Sequence, residues 1–301
     1  MLCIRIQSRT RLVAGGRGVR WKLPVLALLA AVLLGGCVVR IAYGQLDWLT
    51  RWYVDSYFDL NADQERLARE LIGRSLAWHR ATELPQYADY LRELRAGLSG
   101  PVSAGFIARQ YAVTLVIWDR TLRQISPDIA RLLLALDDEQ VGEFFVELEK
   151  RNAELAEEYS GQAPEARRKK QDRSIVRAFR WFVGTLSRDQ EAVIGSYTAG
   201  MHDLTEQWLR RRGVWQSAFR DLLEDRSTNP EFEEQLTNLL LDPNQFDDAE
   251  YRQLVAANRE IAFAMTADVL SSLSGKQRKH LDDRLSRLAR DFDELAIAPA
   301  R

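Results

Sequence analysis

The chain has 301 residues, 46% of them hydrophobic and 28% charged, with 42 basic against 43 acidic residues, two cysteines and three histidines. That length buries one large core or two small ones. The charge balance excludes the basic footprint of a nucleic-acid binder, and two cysteines exclude a disulfide framework.

Residues 1–22 carry Arg5, Arg9, Arg11, Arg17, Arg20 and Lys22 and no acid. A 12-residue apolar run follows, Leu23 to Leu34, broken only by Pro24. A helix that spans a bilayer needs about 20 residues, so the run reads as the apolar part of a secretory signal. It ends in Leu34-Gly35-Gly36-Cys37, which resembles the lipobox of bacterial lipoproteins. The resemblance implies a diacylglycerol on the Cys37 thiol and cleavage just before it. Residues 1–36 are then a signal peptide, 37–45 a lipidated tether and 46–301 a periplasmic domain. The plainer alternative is a signal or weak anchor that happens to hold a cysteine. Removal of 1–36 leaves 265 residues with a net charge of −7 and Cys37 as the only cysteine. Val38 stands where enteric lipoproteins kept in the inner membrane carry Asp, so the resemblance points to the outer membrane, with the domain facing the periplasm.

The mature chain reads as helix nearly throughout. In "LDWLTRWYVDSYFDL" (46–60), Asp47, Arg51, Asp55 and Asp59 recur every fourth residue as one polar stripe, with Leu46, Leu49, Tyr53, Tyr57 and Leu60 opposite. A strand would put Asp47, Leu49 and Arg51 on the same face. Asp47, Asp55 and Asp59 form a candidate partner-binding stripe beside the tether, with plain solvated surface as the alternative. Further helices are expected at 62–80, 84–98, 104–125, 128–135, 138–159, 172–185, 188–212, 214–225, 230–241, 247–271 and 275–296. Gly and Pro mark the breaks, among them "ISP" (125–127) and "SGQAP" (160–164). Residues 160–171 read as the longest loop, ending in Arg167-Arg168-Lys169-Lys170, which is either solvated or in contact with anionic lipid heads.

One pattern occurs four times: "LNADQ" (60–64), "LDDEQ" (136–140), "LSRDQ" (186–190) and "LSGKQ" (273–277). Each is a helix start. Asn61, Asp137, Ser187 or Ser274 caps the first turn, and the Gln three residues on reaches back to the cap amide. In that reading the Gln supplies only the return bond and matters less than the cap. Pairing 60 with 186 and 136 with 273 gives offsets of 126 and 137, as two related halves (46–160 and 171–301) would if one carried an insertion; recurrent capping chemistry is the simpler explanation.

Chemistry is sparse. His79 lies four residues before Glu83 near Pro85, His202 precedes Asp203, and His280 sits in a basic helix. A zinc site needs more ligands than these spacings offer, and the chain has no Gly-rich phosphate loop and no Gly-x-Ser-x-Gly. We therefore assign no catalytic residue, metal or cofactor. Trp48, Trp52, Trp78, Trp118, Trp181, Trp208 and Trp215 sit at helical spacing and are expected in the core rather than around a ligand.

"RIAYGQLDWLTRWYVDSYFDLNADQ" (40–64) and "WHRATELPQYADYL" (78–91) resemble an uncharacterised family of proteobacterial periplasmic lipoproteins. The four Gln motifs are more loosely similar to the Leu-Thr-x-x-Gln motifs of Spy- and CpxP-type helical periplasmic chaperones, although all four lack the Thr. These resemblances imply an all-helical, lipid-anchored protein and carry over no catalytic residue. The expectation is an all-α fold, a multi-helix bundle or elongated helical array. Its role is a non-enzymatic binding, scaffold or chaperone-like one towards an envelope protein, with the membrane as its other partner and no nucleic acid. A cell-wall or lipid hydrolase would need a pocket gathering His79 or His202 with carboxylates. A carrier of an apolar ligand would need an enclosed aromatic cavity.

Overall fold

The structure, a computed structural model, describes residue 40 and residues 43–298. The signal segment and Cys37 lie outside the described residues. The elements are α1 (Leu46–Asp55), α2 (Ala62–Trp78), a π-helical turn (His79–Glu83), α3 (Leu84–Gly97), α4 (Ala104–Leu134), α5 (Asp138–Ser160), α6 (Pro164–Val183), α7 (Arg188–Ala199), α8 (Thr205–Glu224), α9 (Phe232–Leu241), α10 (Ala249–Ser271) and α11 (Gly275–Ile297). No strand occurs among the described residues, and the fold is all-α.

Several boundaries differ from the sequence reading. Helices expected at 104–125 and 128–135 are one, α4, which runs through Pro127. An interior proline costs about 3 kcal/mol. Here Leu122, Ser126, Ala130 and Leu133 are buried on both sides of it, and Ser126 Oγ donates to the Leu122 carbonyl at 2.6 Å. Packing outweighs the local penalty. The loop expected at 160–171 is mostly helix, because Pro164 takes the first position of α6, where its missing N–H costs nothing. Arg167 then donates to the Gln162 carbonyl at 2.6 Å and pairs with Asp203, and Lys170 bridges Glu158 at 2.6 Å. The break expected at Gly213 lies instead at residues 200–204. There the Asn258 side chain brackets His202, accepting from its N–H at 2.8 Å and donating to its carbonyl at 2.9 Å. Pro85 does not end a helix, since the π turn carries α2 directly into α3.

All four Leu-cap-x-x-Gln starts form capping boxes. The Gln side chains do more than cap. Gln64 and Gln140 face each other as a cyclic amide pair, each Nε2 donating to the other Oε1 at 2.8 Å. Gln190 and Gln277 pair the same way, at 3.2 and 2.8 Å. Each Gln also donates to the carbonyl just before its partner's motif Leu: Gln64 to Ala135, Gln140 to Asp59, Gln190 to Ser272 and Gln277 to Thr185. Four helix starts thus become two clasps, one per half of the chain.

The halves repeat one plan. A capped helix (α2, α7) packs on a long helix (α4, α10) that leads into a second capped helix (α5, α11). The second offset exceeds the first by 11 residues, and the helices between the two motifs differ in length from one half to the other. The halves are also interlocked: α3 of the first packs on α11 of the second, and α8 of the second on α5 of the first. Each core therefore draws on both. One gathers Ala130, Leu133, Phe145 and Leu148 with Leu223, Phe232 and Leu236. The other gathers Val183, Ile194, Met265, Val269 and Leu285, with Leu91 and Leu94 of α3 against them.

Candidate functional site

The π turn concentrates the polar chemistry. The Leu84 N–H reaches back five residues to the His79 carbonyl, a geometry often found at functional positions. Glu83 in this turn is completely buried. Arg120 of α4 holds it with both arms of its guanidinium, Nε donating to Oε1 at 2.8 Å and Nη2 to Oε2. Such a bidentate pair offsets the cost of taking a carboxylate out of water.

His79 lies between two tyrosines. Its Nδ1 is 2.9 Å from the Tyr43 hydroxyl and its Nε2 is 3.2 Å from that of Tyr87. Burial holds its pKa below the ordinary histidine value, and the nearby Glu83 charge opposes the shift. Tyr43 is buried, which raises its pKa; the Arg80 guanidinium, 5.5 Å above its ring, opposes that rise. Tyr43 packs with Leu84 of α3 and Leu295 of α11, and Arg40 pairs with Glu294. The segment that holds Arg40 and Tyr43 is thus strapped to the far end of α11. His79 and Glu83, four apart in sequence, do fall close together, but each is already engaged. His202 and His280 are exposed and lie elsewhere. His280 sits beside Gly184, whose φ of +81° needs a glycine.

Beyond the strap, α1 has no buried residue and packs on α2. Trp48 and Trp52 stack with ring centroids 6.4 Å apart and are 58% and 50% exposed. They flank a groove of about 290 Å³ between α1 and α2, with Arg51, Asp55, Glu65 and Arg69 on its walls. The acidic stripe is shorter than the sequence spacing suggests. Asp47 is ion-paired with Arg51, and Asp55 is the last residue of α1. Asp59 lies past the helix end, where its carbonyl joins the first clasp.

The sequence reading missed the middle of α4. The buried residues of this helix all lie in its C-terminal half, from Leu122 to Leu133, whereas residues 111–116 are all exposed, and Trp118 is too. Tyr111, Val113, Leu115, Val116 and Trp118 are between 37% and 64% exposed, and of these Tyr111 reaches Phe263 across a 5.6 Å ring contact. A helix that is apolar all round normally lies inside a structure. The signal is the run "YAVTLVIW" (111–118), of which the sequence reading singles out only Trp118, as a core residue. The tryptophans follow suit: none of the seven is buried, and Trp48, Trp52, Trp118 and Trp181 are exposed. Among the described residues no three His, Cys, Asp or Glu side chains gather as metal ligands, and no helix is long and apolar enough to cross a membrane.

The sequence model of a family of unknown function (DUF6279) matches residues 56–252. No curated protein and no solved structure matches the chain.

Proposed function

The chain belongs to that family of unknown function, so its role has to be read from the molecule itself, and we propose that it is a lipoprotein anchored through Cys37 in the outer membrane whose helical domain binds another envelope protein on the periplasmic side. The observation that carries the binding role is the bare apolar waist of α4 at Tyr111–Trp118. Exposed apolar surface of this kind marks interaction sites, and it lies on a helix whose C-terminal half is buried in the core. A partner's apolar segment laid along the waist would cover side chains that otherwise face water. The arrangement around His79 favours binding over hydrolysis. Both ring nitrogens are engaged by hydroxyls and Glu83 is held by Arg120, so both groups are committed to partners within the protein.

Two measurements test the reading. Labelled palmitate should enter the wild-type protein and not Cys37→Ala. A photo-crosslinking residue at Val116 should form a defined adduct in growing cells, lost when Leu115→Lys charges the waist; an adduct-free waist, or one indifferent to Leu115→Lys, refutes the binding role.

A further inference from the structure

We propose that α1 lies on the face of the bilayer that holds the acylated Cys37, with Trp48 and Trp52 seated at the level of the lipid headgroups. This rests on the anchor reading above and adds an orientation to it. The argument begins with the length of the tether. Only Val38 and Val39 separate Cys37 from Arg40. Three residue steps reach at most about 11 Å. Arg40 pairs with Glu294 near the end of α11, and Tyr43 is buried against His79, Leu84 and Leu295. An acyl chain in the membrane at Cys37 therefore brings the bilayer to within a short reach of this corner of the domain. The domain does not swing on a long leash.

α1 starts six residues after Arg40. It contributes no buried residue to either core, and it presents its two tryptophans as a stacked, exposed pair. The indole combines an apolar ring with an N–H donor, and this amphipathic character concentrates tryptophan at membrane–water interfaces. The groove walls beside the rings carry Arg51, Asp55, Glu65 and Arg69, with Arg51 paired to Asp47 and Arg69 lying 3.6 Å from Glu65. A face that mixes aromatic and charged groups suits the headgroup zone rather than the hydrocarbon. A protein surface or a second copy of the chain could also cover two tryptophans, but neither is brought there by the tether.

The test uses the full chain in native membranes that contain a phospholipid with a photoactivatable diazirine near the glycerol end of its acyl chain. Cleavage after Arg40, Arg51 and Arg66 separates residues 41–51, which hold Trp48, from residues 52–66, which hold Trp52. Both peptides should carry lipid adducts. In the Trp48→Ser/Trp52→Ser variant, whose changes touch only exposed side chains, their labelling should fall about tenfold, the factor that ~1.4 kcal/mol of lost attraction gives. Circular dichroism of that variant should match wild type. Acylated Cys37 with both peptides unlabelled, or with labelling unchanged in the double variant, overturns the orientation and leaves the anchor standing. Cys37 found without acyl chains overturns the anchor and this inference with it.

Discussion

Replacing Gln140 by alanine should destabilise the protein more than removing the cap it serves. Gln140 is 7% exposed. Its Oε1 accepts from the Asp137 N–H at 3.0 Å and from Gln64 Nε2 at 2.8 Å, while its Nε2 donates to Gln64 Oε1 at 2.8 Å and to the Asp59 carbonyl. Four hydrogen bonds are lost and several groups are left unpaired in a site with little water. At a net contribution of about 1 kcal/mol each, discounted for partial rescue by solvent, Gln140→Ala should cost about 2–4 kcal/mol. Asp137→Ala removes the cap acceptor alone and should cost about 0.5–2 kcal/mol. The two mutual amide bonds also predict coupling: in a cycle of Gln64→Ala, Gln140→Ala and the double variant, about 1–2 kcal/mol should be shared. Urea denaturation of the full chain, followed by far-ultraviolet circular dichroism, measures all four species. A Gln140→Ala cost below that of Asp137→Ala, or a coupling of zero, would refute the clasp as an energetic unit.

The second clasp predicts the same ranking, with Gln190→Ala costing more than Ser187→Ala by about 1 kcal/mol or more; equal midpoints in urea would leave Gln190 as a simple return bond. Arg120→Met strands the buried Glu83 carboxylate and should cost about 3–5 kcal/mol, most of it recovered in the Glu83→Gln/Arg120→Met double variant, as thermal melts can read. Because burial lowers the pKa of His79, the unfolded chain takes up a proton that the folded chain resists. Stability from this group is therefore full above the ordinary histidine pKa of about 6.5 and declines as pH falls below it. His79→Gln should flatten that part of the profile in melts between neutral and mildly acid pH, and an unchanged slope would count against the burial argument.

The helices and their starts could be read from the chain because both are local. Four-residue spacing and a cap followed three residues later by Gln depend on neighbours in sequence. The boundaries that were misread depend on distant contacts: Pro127 is carried by buried Leu122 and Leu133, and the break after α7 is held by Asn258. The Gln clasps join residues 76 and 87 apart, so spacing showed the motifs without showing which of them meet. The π turn has the same character. His79 and Glu83 suggested a shared helix face, but nothing near them in sequence points to Tyr43 or Arg120. Trp118 in the apolar waist is expected in the core for another reason. A bare apolar helix and a covered one have the same sequence pattern, and only the neighbours tell them apart.

The exchange of helices between the halves also sets a clock on folding. Arg92 and Arg95 of α3 find Asp293 and Asp282 on α11 across 201 and 187 residues, and Leu91, Leu94 and Leu98 wait for the same helix. A chain made from its N-terminus cannot finish its first half until its last helix arrives. At about 5–20 residues per second, that delay is roughly 10–40 s after α3 emerges. Throughout it the apolar face of α3 has no native cover, and the high sequence separation of the contacts slows closure further. A truncation that stops at residue 252, where the family match ends, never leaves this state: it has α3 without α11, and Gln190 without Gln277. The family match therefore marks out a stretch of sequence, not an independent folding unit.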